Sequence, residues 1–461
     1  MNNQSKKMEL LGSASIPKAL LSMGIPTMIG MLVNAFYNLV DAYFVGGLGE
    51  SQMGAISVVY PLGQVVVGLG LLFGNGAASY ISRLLGRGDK ENANKVASTA
   101  LYSSVSVGAV IIIISMVFLH PILKLLGATD SILPFAAIYA SIYIVSCIFN
   151  VFNVTMNNLV TSEGAAKTTM CALLTGAVLN IALDPLFIYV FDLGVAGAAI
   201  ATAISQVVST CVYLTYIFRK KSVFHFRVKD CTYTKETMSE IFKIGIPTLV
   251  FQILTSVSIS LINNAAGDYG DSAIAGMGVV TRLISMGSLS VFGFIKGFQP
   301  IAGYSYGAKK FNRLREAIKT SILWSTVFCV IFGVILALFP TAIVSQFTKG
   351  DAEMIRIGAA SLRANGISIM LFGFYTVYSS LFLALGKGRE GFILGACRQG
   401  ICFIPVILLL PIVWGLNGIM YAQPIADVLS AIITVFMAIP LHKKLNDMQK
   451  QTSAISKKDN D

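Results

Sequence analysis

The sequence predicts an all-α membrane protein: twelve transmembrane helices in two six-helix bundles related by a pseudo-two-fold axis. Three observations carry that expectation. The 461 residues are 55% hydrophobic and only 12% charged, where a soluble domain carries about 25% charged residues; the mean hydropathy is +0.75. Twelve apolar runs reach the roughly 20 residues that cross a hydrocarbon core of about 30 Å. Finally, residues 24–104 are echoed without a gap by residues 245–325, at a constant offset of 221. Duplicated bundles of this kind are how many secondary transporters are built.

The elements follow in order. Residues 1–15 are polar and form a cytoplasmic N-terminal segment; the long, acid-bearing run behind them is not a cleaved signal peptide. The first bundle, 16–220, holds spans near 16–45, 52–82, 96–120, 132–160, 168–191 and 195–218. A basic cytoplasmic linker, 221–239, separates it from the second bundle, 240–445, with spans near 241–266, 273–303, 317–346, 356–385, 391–413 and 417–441; residues 446–461 form a cytoplasmic tail. Spans longer than the minimum imply tilt, kinks or extension beyond the bilayer. Gly24-Ile25-Pro26-Thr27 returns as Gly245-Ile246-Pro247-Thr248, and Gly76 and Gly86 return as Gly297 and Gly307. The echo weakens in the fourth and fifth spans of each half and resumes at Gly194, Gly197 and Ala201, matched by Gly415, Gly418 and Ala422. Six is even, so both halves enter the membrane in the same sense, as parallel repeats do. Basic segments after the second and eighth spans, Arg87–Lys90 and Lys309–Lys310, sit at matched positions and are expected to pack beneath each half.

The net charge of +12 does not mark a nucleic-acid binder. Lys and Arg gather after even-numbered spans and at the termini, which puts both termini in the cytoplasm by the positive-inside rule. No basic patch is aromatic-rich or independently folded. Six of seven cysteines fall within spans, as packing residues do, and three scattered histidines form no metal spacing. No Walker-type nucleotide motif and no convergent nucleophile, base or metal set is visible, so an enzyme is not expected and no cofactor is implied.

Ionisable residues deep in a span are functional candidates by default. Asp41 in span 1 shares a helix face with Asn34 and Asn38; Asp184 in span 5 follows Asn180 by one turn. Thr202 and Gln206 pair on span 6, and Asn150, Asn153 and Asn157 make a stripe on span 4. Two carboxyls with amide and hydroxyl oxygens suit a hard cation such as Na⁺, at Asp41, Asn180, Asp184 and Thr202, or a proton. The second half does not reproduce the acids: Ile262 stands opposite Asp41, and the Asp184 region is the apolar Pro405–Pro411 run. Its embedded charges are Arg282, Lys296, Arg398 and one acid, Asp427; they pair internally or face the central cavity. Pro26 kinks span 1 ahead of Asp41 and serves either as a hinge or as a static bend. Tyr37, Met31, Phe36, Met286 and Phe294 are candidates for lining an adaptable cavity for flat cations.

The layout resembles the multidrug and toxic compound extrusion (MATE) family across nearly the whole chain. The likeness is carried by the two Gly-Ile-Pro-Thr openings, the Asn34–Gly46 stretch "NAFYNLVDAYFVG", the segment "LGRGDKENA" after span 2, and "TRLISM…GFQPIAGYSYGA" in span 8. It is most similar to the prokaryotic DinF- and MepA-like group. That resemblance implies an ion site at Asp41, Tyr139, Asn180, Asp184 and Thr202, a kinking proline at Pro26, and a substrate-contacting amide at Asn157. The substrate cavity is expected to include Asn34, Tyr37, Asn153, Asn157 and Met286. It implies a MATE/MOP-type fold and a monomeric antiporter in the cell membrane that exports amphipathic, mainly cationic drugs or toxins in exchange for H⁺ or Na⁺. A lipid-linked saccharide flippase of the same superfamily is the alternative, favoured by a basic central cavity.

Overall fold

The computed structural model describes residues 3–48, 50–348 and 351–458; the side chains of Asn38 and Asp271, among others within helices, lie outside the described set. The described residues are helical, with no strand. In chain order the helices are α1 (Asn3–Gly12), α2 (Ile16–Gly46), α3 (Glu50–Gly86), α4 (Lys90–Val117), α5 (Leu119–Leu125), α6 (Leu133–Ser162), α7 (Ala166–Pro185) and α8 (Gly194–Phe218). The second half continues with α9 (Lys235–Gly267), α10 (Asp271–Gly307), α11 (Phe311–Leu338), α12 (Pro340–Val344), α13 (Ala352–Ser368), α14 (Phe372–Ala384), α15 (Gly388–Ala396), α16 (Phe403–Trp414) and α17 (Leu416–Lys458). Among the described residues twelve helical stretches are long and apolar enough to span a membrane, the tenth joining α13 to α14 and the eleventh α15 to α16. The protein is a multi-pass membrane protein.

The duplication is visible in the turns. Gly88 and Lys309, 221 residues apart, both take positive φ (81° and 57°) ahead of the third helix of each half. Gly194 and Gly415 repeat this (52° and 55°) ahead of the last. Between them the register slips by one residue: Gly164 corresponds to Gly386, both at positive φ, at an offset of 222. That insertion is one reason the sequence echo fades in the middle of each half.

The same glycines bring the halves together. A side chain at Gly297 on α10 would meet the backbone nitrogen of Gly24 on α2 at 2.5 Å, and one at Gly293 would meet Met28 Cα at 2.5 Å. The symmetry-related crossing is α9 on α3, where Gly245 abuts the Leu72 carbonyl and Gly76 abuts that of Ile241. On the pseudo-axis, Gly86 lies against the Tyr304 carbonyl and Gly307 against that of Arg83, again a pair related by 221. Small residues let helix backbones approach closely where lipid supplies no hydrophobic drive. Hydrogen bonds reinforce both crossings: Thr27 Oγ1 donates to Gly293 O (2.6 Å) and Asn75 Nδ2 donates to Thr248 Oγ1 (2.8 Å). These contacts fill the half of the molecule nearer the two termini, so the bundles are closed together on that side.

On the same face α1 is tied to both bundles. Lys7 Nζ pairs with Glu163 Oε1 (3.0 Å), and Glu163 also accepts from Ser222 Oγ (3.0 Å) and the Val223 amide (2.6 Å). At the other end, Lys310 Nζ donates to Gly12 O (2.7 Å) and Arg313 Nε to Leu11 O (3.2 Å), satisfying carbonyls that a helix C-terminus leaves open. The linker lies under α4, where Tyr102 Oη donates to Phe226 O (3.0 Å) and Asn94 Oδ1 accepts from the His225 amide (2.7 Å).

Candidate functional site

Two sites emerge, one in each half. In the first, α7 carries Asn180 and Asp184 one turn apart, so both face the same neighbours. Asn180 Nδ2 donates to Asp184 Oδ1 (3.3 Å) and reaches Thr202 Oγ1 on α8 at 3.5 Å. Asp184 is fully buried and Asn180 nearly so. The Asp41 carboxyl on α2 lies against that of Asp184. Tyr37 and Tyr139 are close enough to feel the Asp41 charge, and Tyr139 is held in place by stacking on Tyr143 at 5.6 Å. The ion-site residues expected from sequence therefore stand together. The Asn38 side chain, expected on the same stripe, lies outside the described residues.

Chemically this cluster is oxygen-only. Asp41 Oδ1, Asn180 Oδ1 and Asp184 Oδ2 are buried with no hydrogen-bond partner, which buried polar atoms rarely tolerate. Two ionised carboxylates at contact repel; a proton on one, or a hard cation between them, relieves that. The donors here are carboxyl, amide and hydroxyl oxygens, the ligand type of hard cations. Directly after Asp184-Pro185 the chain makes a π-helical turn, Leu186–Val190. Such turns are frequent at functional positions in helices.

The second site is a cavity of about 480 Å³ at the junction of the halves, walled mostly by α9, α10, α14, α15, the π-helical turn Cys397–Ile401 and α17. Phe251, Phe292, Ile284 and Leu289 supply apolar surface; Gln252, Ser258, Thr281 and Gln399 supply polar groups; Met31, Leu71, Asn75 and Asn158 are the first half's contribution. Its wall carries two basic residues, Lys296 and Arg398, and no acid. Arg398 is neutralised behind the wall: its Nε donates to Asp427 Oδ1 (2.8 Å), which Gln423 Nε2 also reaches (2.9 Å), while Ser368 Oγ donates to Asp427 Oδ2 (2.9 Å). The guanidinium also lies 4.6 Å from the Phe372 ring centre. Arg282 is exposed.

The expected cavity residues are distributed differently from the sequence reading. Asn157 accepts a hydrogen bond from Lys296 Nζ and its own Nδ2 reaches Tyr213 Oη at 3.4 Å, so it stands behind the cavity wall. Asn153 is spent on helix packing: its Nδ2 donates to Gln206 Oε1 (2.8 Å) and its Oδ1 accepts from Thr210 Oγ1 (3.0 Å). Met286 is exposed, and neither it nor Asn34 nor Tyr37 lines this cavity. Pro26 is buried, one residue before the Thr27 contact to the other half. The missed lining residues include Phe251 and Ser258, seven residues apart on one face of α9, and Gln399 in the turn after α15. Only the match of Asn75 to Lys296 across the repeat hinted at them.

Comparison with known proteins settles the family. The MatE family profile matches residues 26–186 and again residues 247–409, two copies whose starts differ by the repeat offset. The chain belongs to the MatE family. It is 32% identical over 429 residues to the multidrug export protein MepA of Staphylococcus aureus (strain MSSA476), covering 93% of this chain and 94% of that one. The MepA of Staphylococcus saprophyticus subsp. saprophyticus is likewise 32% identical, over 433 residues, 94% of this chain and 95% of that one. Among solved structures, the outward-facing conformation of a multidrug resistance MATE family transporter of the MOP superfamily matches with a TM-score of 0.90. It has 26% identity and covers 96% of this chain and 99% of that chain.

Proposed function

We propose that this MatE protein is a multidrug exporter, not an enzyme, working by secondary antiport of amphipathic compounds against inward H⁺ or Na⁺. The observation that carries the antiport reading is the contact of Asp41 with Asp184, next to Asn180 and Thr202 and buried in the first bundle. The relatives' multidrug export supports the cargo class. With the basic loops inside, both termini face the cytoplasm, and the arrangement with the terminal side closed is the outward-facing one. Ion binding between the acids repacks α2, which is joined to the other half at Thr27, immediately after Pro26. Release of cargo to the outside follows, and the inward ion gradient supplies the energy: 100 mV is worth about 2.3 kcal/mol per net charge moved in a cycle, roughly a fortyfold gradient. Cationic cargo is expected to engage the first half, where the acids stand.

The test is transport in proteoliposomes with H⁺ and Na⁺ gradients imposed separately and an ethidium-type cation as cargo. Export driven by at least one gradient is expected; export driven by neither would sink the antiport reading.

A further inference from the structure

The charge in the large cavity is unbalanced, and one residue accounts for it. Arg398 is paired with Asp427, so it adds no net charge. Lys296 has no carboxylate within ion-pair distance among the described residues. Among the described residues its ammonium is met by the neutral amide oxygen of Asn157. An embedded charge without a counter-charge is costly and marks a functional position by default. The counterpart across the repeat is Asn75, so the cation is not demanded by the scaffold.

Lys296 stands where the large cavity meets a small polar cleft lined by Ser79, Ser82, Thr161 and Gln299. Asn75, Asn158 and Gln299 border both spaces beside it. One turn before Lys296 on the same face of α10 lies Phe292, packed edge-on against Phe251 at 5.9 Å, with Ile284 further along that face. A cavity of about 480 Å³ is in the range that encloses a drug-sized ligand. One fixed cation among amides, with an aromatic and aliphatic surface beginning one turn away, complements an amphipathic molecule with an anionic head.

From this geometry we propose that the second-half cavity is a subsite for amphipathic monoanions, holding a carboxylate or comparable oxyanion head on Lys296 and its apolar body against Phe251 and Phe292. The proposal rests on reading this cavity as a cargo site and extends the exporter's range to acidic amphiphiles, with acids serving the first half and a base the second.

The experiment is binding of dansyl-undecanoic acid and of its methyl ester to the full-length protein in phosphatidylcholine nanodiscs, followed by dansyl fluorescence. Wild type is expected to bind the acid about tenfold more tightly than the ester, the effect of one charge-assisted hydrogen bond. Lys296→Met is expected to bind acid and ester alike at the wild-type ester affinity, which also reports that the variant is folded; Lys296→Arg is expected to keep the preference. An acid bound no better than the ester by wild type, or a preference undiminished in Lys296→Met, overturns the proposal. Repeating the titration in phosphatidylglycerol nanodiscs distinguishes the source of the anion. Competition there supports a lipid headgroup as occupant, and undiminished binding supports a soluble acid. Binding needs no gradient, so a protein that prefers the acid but exports nothing would refute the antiport reading and leave the subsite standing.

Discussion

Replacing Gly297 by alanine tests how the halves are held. The added methyl would lie 2.5 Å from the Gly24 nitrogen and from the Met23 carbonyl carbon, whereas ordinary contact begins at 3.4 Å, so α10 and α2 must separate by about 0.9 Å. The obstructing atoms are backbone, which cannot rotate aside. Overpacking of this kind costs about 1–3 kcal/mol, and that cost falls only on the state in which the terminal side is closed. The equilibrium between closed and open terminal side is therefore expected to move roughly 5- to 150-fold toward open. A Ser79→Cys reporter in a background lacking the native cysteines measures this, because Ser79 lies in the polar cleft behind the crossing. Labelling by a membrane-impermeant maleimide added on the terminal side should accelerate by about that factor when Gly297→Ala is introduced. Unchanged labelling in a protein that melts like its parent would refute the reasoning.

Other expectations concern stability and can be checked by thermal unfolding in detergent. Glu163→Gln leaves Lys7 buried without its partner and is expected to destabilise by about 3–5 kcal/mol, with protease sensitivity appearing first at α1. Asp427→Asn strands Arg398 at a similar cost of about 3–5 kcal/mol, while the double change Arg398→Met with Asp427→Leu should recover most of it. Asp89 caps α4, and hydrogen bonds from the Asn92 side chain and backbone hold its carboxyl below the usual carboxylate range. Because the folded value is lowered, its stabilisation is present at neutral pH and fades as pH falls through that lowered value. Asp89→Ala should therefore cost about 1 kcal/mol at pH 7, and the difference from wild type should shrink in acid.

The helices and their duplication were legible because span hydropathy and the glycine pattern are local in sequence. Twelve runs became twelve spans, and Gly24, Gly76, Gly86 and their repeats became the crossing points between the halves. Helical continuation past the membrane was not legible: α17 runs to Lys458, well beyond its apolar segment, since hydropathy reports only the buried part. Nor was α1, a short polar helix held by Glu163, Lys310 and Arg313 from distant parts of the chain. The acids and their oxygen neighbours stood out because charge in a span is costly and Asn180 and Asp184 share a face. The large cavity did not stand out: its residues keep helical spacing on α9 and α10, as at Phe251, Thr255, Ser258 and Ile262, but those stripes are mostly apolar or hydroxylic, and sequence does not tell such a face from one packed in the core or turned to lipid. Asn153 and Asn157 show the limit of a stripe: they share a helix, yet Gln206 ties the first into packing while Lys296 engages the second.

The central claim, that the ion switch lies at Asp41 and Asp184 in the first half alone, is tested most directly by cargo affinity measured across pH and Na⁺ concentration. The account predicts that H⁺ or Na⁺ weakens cargo binding to wild type, and that Asp41→Asn and Asp184→Asn bind cargo with an affinity that neither ion alters. Folded variants whose cargo affinity still follows the ion as wild type does would contradict it.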